Sequence, residues 1–383
     1  MSKVFGLTLL LVAVLVFTGV SSPGTDWAAN LENLMGRTGR FGIIGIGVAF
    51  VIVTGGIDLS IGSVVGLVGV LLPMLIVKHQ WSPWLAIPTV LALGAFLGLC
   101  HGLLVTRLKL QPFVVTLCGL MLYRGIARFI ADDRPQGWGT GHTELRDAAS
   151  GSLLNLPAGF VLLGLLAGLG AFLLHRTGDR RSSKGLGVAA LLAAGVGITG
   201  FLMPESLLAR TGVPSPFLLL VVVGGISGLG LSHSVWGRHL LALGQNEQAA
   251  RFSGVRTERL VLLSYVLCSG LAGLAAVLFA LKQSSVQPAT AGNFYELYAI
   301  AAAVLGGCSL RGGEATILGV VVGTALLRTL LNAITLLGFD QQLEFAIIGI
   351  VILIGVSADE ILRRVFASRR ATRAPVTPPR PPG

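Results

Sequence analysis

Apolar runs recur along the chain from residue 4 to residue 357, and short polar stretches separate them. A helix needs roughly 20 apolar residues to cross a bilayer, and many of these runs approach that length. We predict membrane segments at residues 4–20, 41–54, 60–77, 84–105, 112–130, 158–174, 186–203, 215–233, 259–281, 297–309, 314–331 and 345–357. The shortest, 41–54, 297–309 and 345–357, are expected to be tilted, broken or re-entrant. The pattern predicts an all-α fold, a polytopic transmembrane helical bundle of about 10–12 membrane segments.

Composition supports a membrane rather than a soluble protein. Hydrophobic residues make up 53% of the 383 residues and charged residues only 12%, against about 25% charged in a soluble domain. Glycine contributes 53 residues, and small residues let helices approach closely in lipid. We expect one permease-like membrane domain at 1–360 and a basic, proline-rich tail at 361–383. The tail reads as disordered and is either a solvated flank or a contact for anionic membrane lipid.

The net charge of +11 could suggest a nucleic-acid partner, but its distribution argues against one. The basic residues lie in short loops between apolar segments and in the tail, which is the topological bias of membrane proteins. With both termini in the cytoplasm, most loop lysines and arginines fall on the cytoplasmic side. We therefore predict a multi-pass protein of the bacterial inner (plasma) membrane with both termini cytoplasmic. Residues 1–20 are either its first helix or a cleaved signal peptide.

No catalytic or metal-binding pattern is recognisable in the sequence. The four cysteines are far apart and lack metal or redox spacing. The sequence contains no phosphate-binding loop of the G-x-x-x-x-G-K-[ST] type, and its six histidines are scattered. We expect no metal, no cofactor and no enzymatic activity. Transport energy must then come from another subunit or from an ion gradient.

The first notable motif, residues 54–63, separates two apolar runs. Gly55 and Gly56 can break a helix, and Ser60 can cap the next one. Asp58 is an acid between two apolar segments, and such a residue is a functional candidate. It either helps to cap the following helix or contacts the transported solute.

The second motif is the loop at 237–255, which the predicted topology places in the cytoplasm. It mixes charged and apolar positions and can form a short helix lying across the membrane surface. An ordinary amphipathic loop is the alternative interpretation. The residues of interest are Asn246, Glu247, Ala249, Ala250, Arg251 and Gly254. Glu247 and Arg251 have the i, i+4 spacing of a helical ion pair.

The third motif, residues 295–313, contains the pair Gly306 and Gly307. The spacing Gly-Gly-x-x-Leu-x-x-Gly occurs here at 306–313 and also at 55–62. Paired broken segments often line the site of repeat-built transporters, although a chance match is easy in a chain rich in glycine and leucine. Both copies follow one apolar run and precede another.

Together and in this order, the three motifs resemble the permeases of ribose-type sugar ABC importers, over roughly residues 28–360. The resemblance implies a membrane-spanning permease for a ribose-, galactose- or xylose-like sugar. It implies three kinds of partner: an ATP-binding cassette subunit, a periplasmic substrate-binding protein, and a second permease copy or sister permease. The loop at 237–255 is then the ATPase coupling loop, because the spacing Ala249-Ala250-x-x-x-Gly254 matches the core of the family's coupling motif.

Two departures from the family pattern stand out. An additional pair of apolar segments occupies 158–203, and inserting a pair preserves the sidedness of the coupling loop. Arg311 and Glu314 flank the second glycine pair, where many relatives carry small or neutral residues. The substrate therefore stays open between a sugar and the nucleosides or branched-chain amino acids of related importers.

Polar residues expected near the translocation path are Asp58, Tyr295, Glu296 and Asn332. Hydroxyl-rich sugars need hydrogen-bond donors and acceptors, with aromatic faces for the sugar ring. Tyr295 and Glu296 could equally be surface loop residues. An ion-coupled secondary transporter remains an alternative, but it would need intramembrane acid or base pairs, and Asp58 is a single acid.

Overall fold

The computed structural model describes residues 2–155 and 210–351, together with residues 158, 353 and 357. The described chain is a polytopic helical bundle, as predicted, and eight of its helices are long and apolar enough to cross a membrane. The predicted extra pair at 158–203 and the tail at 361–383 lie outside the described residues, apart from residue 158.

Twelve α-helices have both ends within the described residues, and their bounds are α1 Ser2–Ser21, α2 Trp27–Val53, α3 Ile61–Pro73, α4 Pro83–Thr106, α5 Pro112–Ile130, α6 Thr143–Ser150, α7 Ser215–His233, α8 Val235–Gln245, α9 Glu247–Phe252, α10 Thr257–Lys282, α11 Tyr295–Leu305 and α12 Ile317–Leu336. A π-helical turn at Met74–Lys78 extends α3, and a 3-10 turn spans Gln341–Leu343. The four short strands are β1 Gln136–Gly137, β2 Ser152–Asn155, β3 Gly212–Pro214 and β4 Ser285–Val286. They form two antiparallel pairs, β1 with β4 and β2 with β3.

Helix α2 lies at the centre of the bundle, packed against α7, α10 and α12. The prediction that 41–54 is a short or broken segment is wrong, because α2 is continuous over Trp27–Val53. Arg37 and Arg40 interrupt the apolar pattern and hide the first half of the helix. Arg40 is nevertheless buried, with its guanidinium 5.5 Å from the ring centre of Phe279.

Glycines on one face of α4 allow the close packing that the composition predicts. Gly94, Gly98 and Gly102 recur every four residues and meet the backbone of α10. A Cβ on Gly102 would lie 2.9 Å from the Cα of Leu262. Backbones this close leave no room for a side chain, which is how small residues promote helix contacts in lipid.

The remaining short segments differ in outcome. The segment predicted at 297–309 is the short helix α11, which begins two residues earlier at Tyr295. The segment predicted at 345–357 is helical through residue 351, and only residues 353 and 357 are described beyond that point. Helix α1 packs against α12 and exposes most of its apolar surface, which suits contact with lipid.

Candidate translocation and coupling sites

The first helix break lies between the end of α2 at Val53 and the start of α3 at Ile61. Gly55 has φ +80°, a backbone conformation that side chains with a Cβ rarely adopt. A Cβ on Gly56 would lie 2.8 Å from the hydroxyl oxygen of Tyr265 on α10. The two glycines therefore serve different purposes, one for the turn and one for close packing.

Asp58 belongs to a buried polar network that crosses from the break to α4 and α5. Its Oδ1 accepts hydrogen bonds from the backbone N–H of Ser60 at 2.9 Å and from the Ser60 hydroxyl at 2.6 Å. The Ser60 Oγ lies 3.5 Å from Nδ1 of His101, and the Nε2 of His101 is 2.8 Å from the hydroxyl of Tyr123. Asp58 is 1% exposed, so it is enclosed by the protein in this structure.

The expectation that Ser60 caps α3 with its side chain is wrong. Ser60 occupies the N-cap position, but its side chain makes no capping hydrogen bond. Its hydroxyl donates to Asp58 instead, and the Ser63 hydroxyl donates to the Leu120 carbonyl on α5 at 2.7 Å. The physical reason is the backbone of Ser60, which has helical dihedral angles of φ −79° and ψ −13°. A residue whose side chain caps a helix normally has an extended backbone, which brings its oxygen to the free N–H groups.

The second helix break connects α11 to α12 through residues 306–316. Gly307, Gly312 and Gly313 have φ values of +92°, +89° and +75°. A Cβ on Gly306 would meet the backbone of Gly319 at the start of α12. The break is thus a tight turn in which glycine is required both for conformation and for contact.

The two breaks meet each other and the end of α8 in a set of backbone contacts. We call this set the glycine junction; its members are Val53, Gly55, Gly244, Gln245, Gly312 and Gly313. The carbonyl of Val53 accepts a hydrogen bond from the N–H of Gly313 at 2.9 Å. A Cβ on Gly312 would lie 2.8 Å from the Gly244 carbonyl oxygen and 3.0 Å from the Gly55 nitrogen. The two segments with matching glycine spacing are therefore neighbours in space.

The predicted coupling loop contains two helices. Ser234 caps α8 by accepting the N–H of Gly237 at 3.0 Å, and Asn246 caps α9 by accepting the N–H of Ala249 at 3.0 Å. Glu247 and Arg251 form the anticipated i, i+4 ion pair at 3.3 Å. The single residue Asn246 joins the helices, so α9 is attached closely to α8 and, through Gly244 and Gln245, to the glycine junction.

The faces of α9 separate internal packing from a free surface. Ala250 is 5% exposed and belongs to the apolar core of this chain, so its small size is required internally and need not reflect a partner. Gly254 has φ +81° with open space around it, so its backbone turn explains the glycine. The exposed side carries Ala249 and Phe252, and Phe252 is 92% exposed.

Farther from the coupling end, side chains from four helices form an aromatic–arginine cluster, defined by Arg40, Phe41, Phe279, Tyr295, Tyr298 and Arg328. The guanidinium carbon of Arg328 lies 3.5 Å from the ring centre of Phe41 and 4.9 Å from that of Tyr298. Three rings pack mutually, with centre distances of 5.1 Å for Phe41–Phe279, 4.7 Å for Phe41–Tyr295 and 5.0 Å for Phe279–Tyr295. Each contact is within the range of favourable aromatic and cation–π geometry.

The cluster holds more positive charge than its neighbouring acid balances. Arg40 and Arg328 are 7% and 8% exposed. Nε of Arg40, and Nε and Nη2 of Arg328, have no hydrogen-bond acceptor among the described residues. The nearby carboxylate of Glu344 accepts a hydrogen bond from the Tyr298 hydroxyl at 2.8 Å. Two buried guanidinium groups therefore retain donors that no described group uses.

The four residues expected along the path occupy three different places. Tyr295 lies in the aromatic–arginine cluster, and the half-buried Asn332 follows Arg328 by one helical turn on α12. Glu296 points away from the cluster and contacts Gly62 at the start of α3. Asp58 lies in the network described above.

Sequence reasoning missed most of the cluster, namely Arg40, Phe41, Phe279, Tyr298 and Arg328. One signal was available, because an ionisable residue inside a membrane segment is a functional candidate by default, and Arg328 interrupts the apolar run at 314–331. Arg40 was assigned to a loop because α2 was predicted too short. The aromatic partners carry no sequence signal of their own.

Among the described residues, no group of three histidine, cysteine, aspartate or glutamate side chains is arranged to hold a metal ion. The four cysteines are free thiols, and Cys268 and Cys308 are buried. Cys268 is part of the apolar core. The candidate site consists of the glycine junction, the buried network around Asp58 and the aromatic–arginine cluster.

These features define a class: a multi-pass membrane protein with paired helix breaks and a capped surface helix attached to them. The family model described as "Branched-chain amino acid transport system / permease component" matches residues 30–356. The chain belongs to this family and is the permease component of an ABC import system. A permease of this kind implies an ATPase and a binding protein as partners.

Individual relatives agree with the family match. The chain is 32% identical over 352 residues to the ribose import permease protein RbsC of Escherichia coli K12, covering 91% of this chain and 92% of that protein. It is 30% identical over 373 residues to the xylose transport system permease protein XylH of the same strain, covering 94% and 93%. RbsC of Bacillus subtilis is 32% identical over 350 residues, covering 91% and 90%. The resemblance predicted from the three motifs is confirmed. No solved structure matches the chain.

Proposed function

We propose that this permease carries a sugar across the bacterial inner membrane, with both termini in the cytoplasm. The named relatives are a ribose permease and a xylose permease, which supports a sugar over a nucleoside or a branched-chain amino acid. A substrate-binding protein delivers the sugar outside, and a separate ATPase supplies the energy. The translocation path lies between this chain and a second copy or a sister permease.

The attachment of α9 to the glycine junction is the observation that carries the mechanism. An ATPase docked on Ala249 and Phe252 would push a helix that is capped at Asn246 and joined to α8 by that single residue. Helix α8 ends against both breaks through backbone contacts, which cannot relax by changing rotamer. A displacement of α9 is therefore passed to the ends of α2 and α11 and to the starts of α3 and α12. Asp58 lies in the first break itself, Tyr295 and Glu296 lie on α11, and Arg328 and Asn332 lie on α12.

Substitution of the exposed face of α9 tests this proposal. We expect Phe252→Ala and Ala249→Trp to lower both sugar uptake and the ATP hydrolysis that loaded binding protein stimulates, because docking is weakened without touching the core. Phe129→Ala is the matched control, since Phe129 is 83% exposed at the end of α5 and distant in sequence from the coupling helices. Both activities would be measured in the same reconstituted vesicles. Normal uptake and hydrolysis in both α9 variants would remove this helix from the coupling mechanism.

Orientation and domain limits are part of the same proposal. The membrane domain comprises residues 1–360, including an extra segment pair at 158–203, and the basic tail at 361–383 lies beside the inner membrane surface, where anionic lipid attracts it. Single cysteines at exposed positions of 237–256 should be shielded from an impermeant reagent added outside. Cysteines at exposed positions of 132–149 should react. The reverse labelling pattern would invert the topology.

A further inference from the structure

We infer that the aromatic–arginine cluster binds the acidic group of the transported sugar, so that the substrate class is a sugar carrying a carboxylate or phosphate. This inference rests on the proposed function and narrows its substrate.

The two buried arginines of the cluster have N–H donors without an acceptor among the described residues. A guanidinium group presents its N–H donors in a planar fork that matches a carboxylate or phosphate. Nε and Nη2 are the two adjacent donors of one edge of Arg328, and both lack an acceptor among the described residues. Nε of Arg40 also lacks an acceptor among the described residues. Burying a charge without such partners is costly, so the arrangement favours an anionic ligand.

Positive charge exceeds negative charge around the cluster. Arg37 precedes Arg40 by one helical turn on α2 and is exposed. The nearby acid on the last described segment, Glu344, is half-buried and already accepts the Tyr298 hydroxyl. Glu296 faces α3, where it contacts Gly62, rather than this cluster. A neutral pentose would leave the two buried cations uncompensated, whereas an acidic sugar would offset part of that charge.

A small cleft adjoins the cluster. Phe279 and Tyr295 belong to the cluster and also line a small cleft between α3, α10 and the segment before α11. The exposed side chain of Gln283 contributes an amide to the same cleft. Aromatic faces suit the apolar side of a sugar ring, and an amide can both donate to and accept from hydroxyls. Phe279 and Tyr295 therefore connect the cluster to this cleft, which is narrow and would have to open to admit a sugar ring.

Ligand-induced stabilisation of the purified full-length permease tests the inference directly. The probes are galacturonate and ribose 5-phosphate, with galactose, ribose and inorganic phosphate as comparisons. We expect the acidic sugars to raise the unfolding midpoint at concentrations where the neutral sugars and phosphate alone do not. In Arg328→Gln and Arg40→Gln, the apparent affinity for the acidic sugar should fall about tenfold or more, since a hydrogen bond to a charged group is lost.

Two further variants separate a binding role from a purely packing role. Arg328→Lys keeps the charge and should retain part of the affinity for the acidic sugar. If Arg328 only packs against the rings, this affinity should not depend on the charge at position 328. Arg128→Gln is the control, because Arg128 is an exposed arginine paired with Asp133 at 2.7 Å. Its hydrogen bonds lower the pKa of the Asp133 carboxyl and do not involve the cluster. This control should bind acidic sugar as the unmodified protein does.

Equal stabilisation by galactose and galacturonate, or by inorganic phosphate alone, would overturn the inference. Unchanged acidic-sugar affinity in both Arg328→Gln and Arg40→Gln would do the same. The outcome is distinct from a failure of the proposed function. ATP-dependent uptake of ribose with no response to acidic sugars would refute only the acidic substrate. Uptake of leucine in place of any sugar would refute both.

Discussion

The glycine junction is held by contacts between backbones, whereas the aromatic–arginine cluster is held by contacts between large side chains. At the junction, backbone meets backbone, and Val53, Gly244 and Gly313 approach so closely that a Cβ on Gly244 would overlap its neighbours. At the cluster, large side chains meet, and the Arg328 guanidinium lies over the Phe41 ring. A backbone contact has no rotamers to change, whereas arginine and tyrosine side chains have several.

This difference suggests a division of labour in the permease. The junction is suited to transmit a displacement from α9, because it cannot absorb one by side-chain motion. The cluster is suited to receive a ligand, because its groups can reorient and because the donors of Arg40 and Arg328 are unused. Substitutions should therefore damage stability most at the junction and substrate handling most at the cluster.

The largest expected effect comes from adding one methyl group at the junction. Gly244→Ala should lower the free energy of unfolding by about 3 kcal/mol, since the backbones of Val53 and Gly313 would have to move. Thermal unfolding in detergent measures it. Gly125→Ala is the control, because a Cβ there has nothing within 4 Å. Gly66 would be a poor control, since its Cβ would lie 2.7 Å from the Ala291 carbonyl oxygen. An unfolding midpoint equal to that of the control would show that the junction is loose.

A smaller effect is expected from replacing the ring beneath Arg328. Phe41→Leu keeps an apolar side chain but removes the cation–π contact and three ring contacts, which together contribute about 2 kcal/mol. Its unfolding midpoint would be compared with that of Phe96→Leu, an exposed position on α4. Equal midpoints for the two variants would mean that the cluster makes no net contribution to stability.

The next largest loss of stability is expected in the buried network at the first break. Ser60→Ala removes the 2.6 Å hydrogen bond to Asp58 and should cost about 1–2 kcal/mol, because a buried carboxylate loses a donor. Ser253→Ala, which loses only a bond to its own helix at an exposed site, should be nearly neutral. If both serine variants unfold alike in a denaturant titration, the network is not what fixes the break.

The smallest effect should appear on the surface of α9. Glu247→Gln breaks the exposed ion pair with Arg251, and such pairs contribute only about 0.3–0.5 kcal/mol. Stability should hardly change, and high salt should remove the remaining difference from the unmodified protein. A loss of several kcal/mol in this variant would indicate that the pair has a structural role beyond α9.

The comparison also explains what could be predicted from the sequence. The glycines at both breaks could be predicted from the sequence because each position requires glycine. Gly55 and Gly307 have a positive φ, Gly306 lies against backbone, and Gly56 lies against side chains. Their meeting in space was not readable, since it depends on how α8 packs between the two breaks. The helix at 27–53 was predicted too short because an arginine such as Arg40 is typical of a loop. In the structure Arg40 is buried in the helix, and its guanidinium lies over the Phe279 ring.

Of the cluster's members, only Tyr295 was named from the sequence as a candidate path residue. Its other members come from α2, α10, α11 and α12, and no local spacing in the sequence links those helices. Asp58 was singled out as a functional candidate, and its role stays a prediction. Ser60 occupies the N-cap position as expected, but its helical backbone, which residue type does not reveal, leaves the cap without a side-chain hydrogen bond.

The claim that α9 and the second helix break move as one body is tested most directly by distances between spin labels. Cysteines at Ser253 at the end of α9 and at Leu310 in the break, both exposed, would be labelled in an active chain whose four native cysteines are replaced. A reference pair would join Ser253 to the exposed Leu108, between α4 and α5. On ATP binding by the assembled transporter, the 253–310 distance should stay constant while the 253–108 distance changes. A 253–310 distance that changes as much as the reference pair would contradict rigid transmission through the glycine junction.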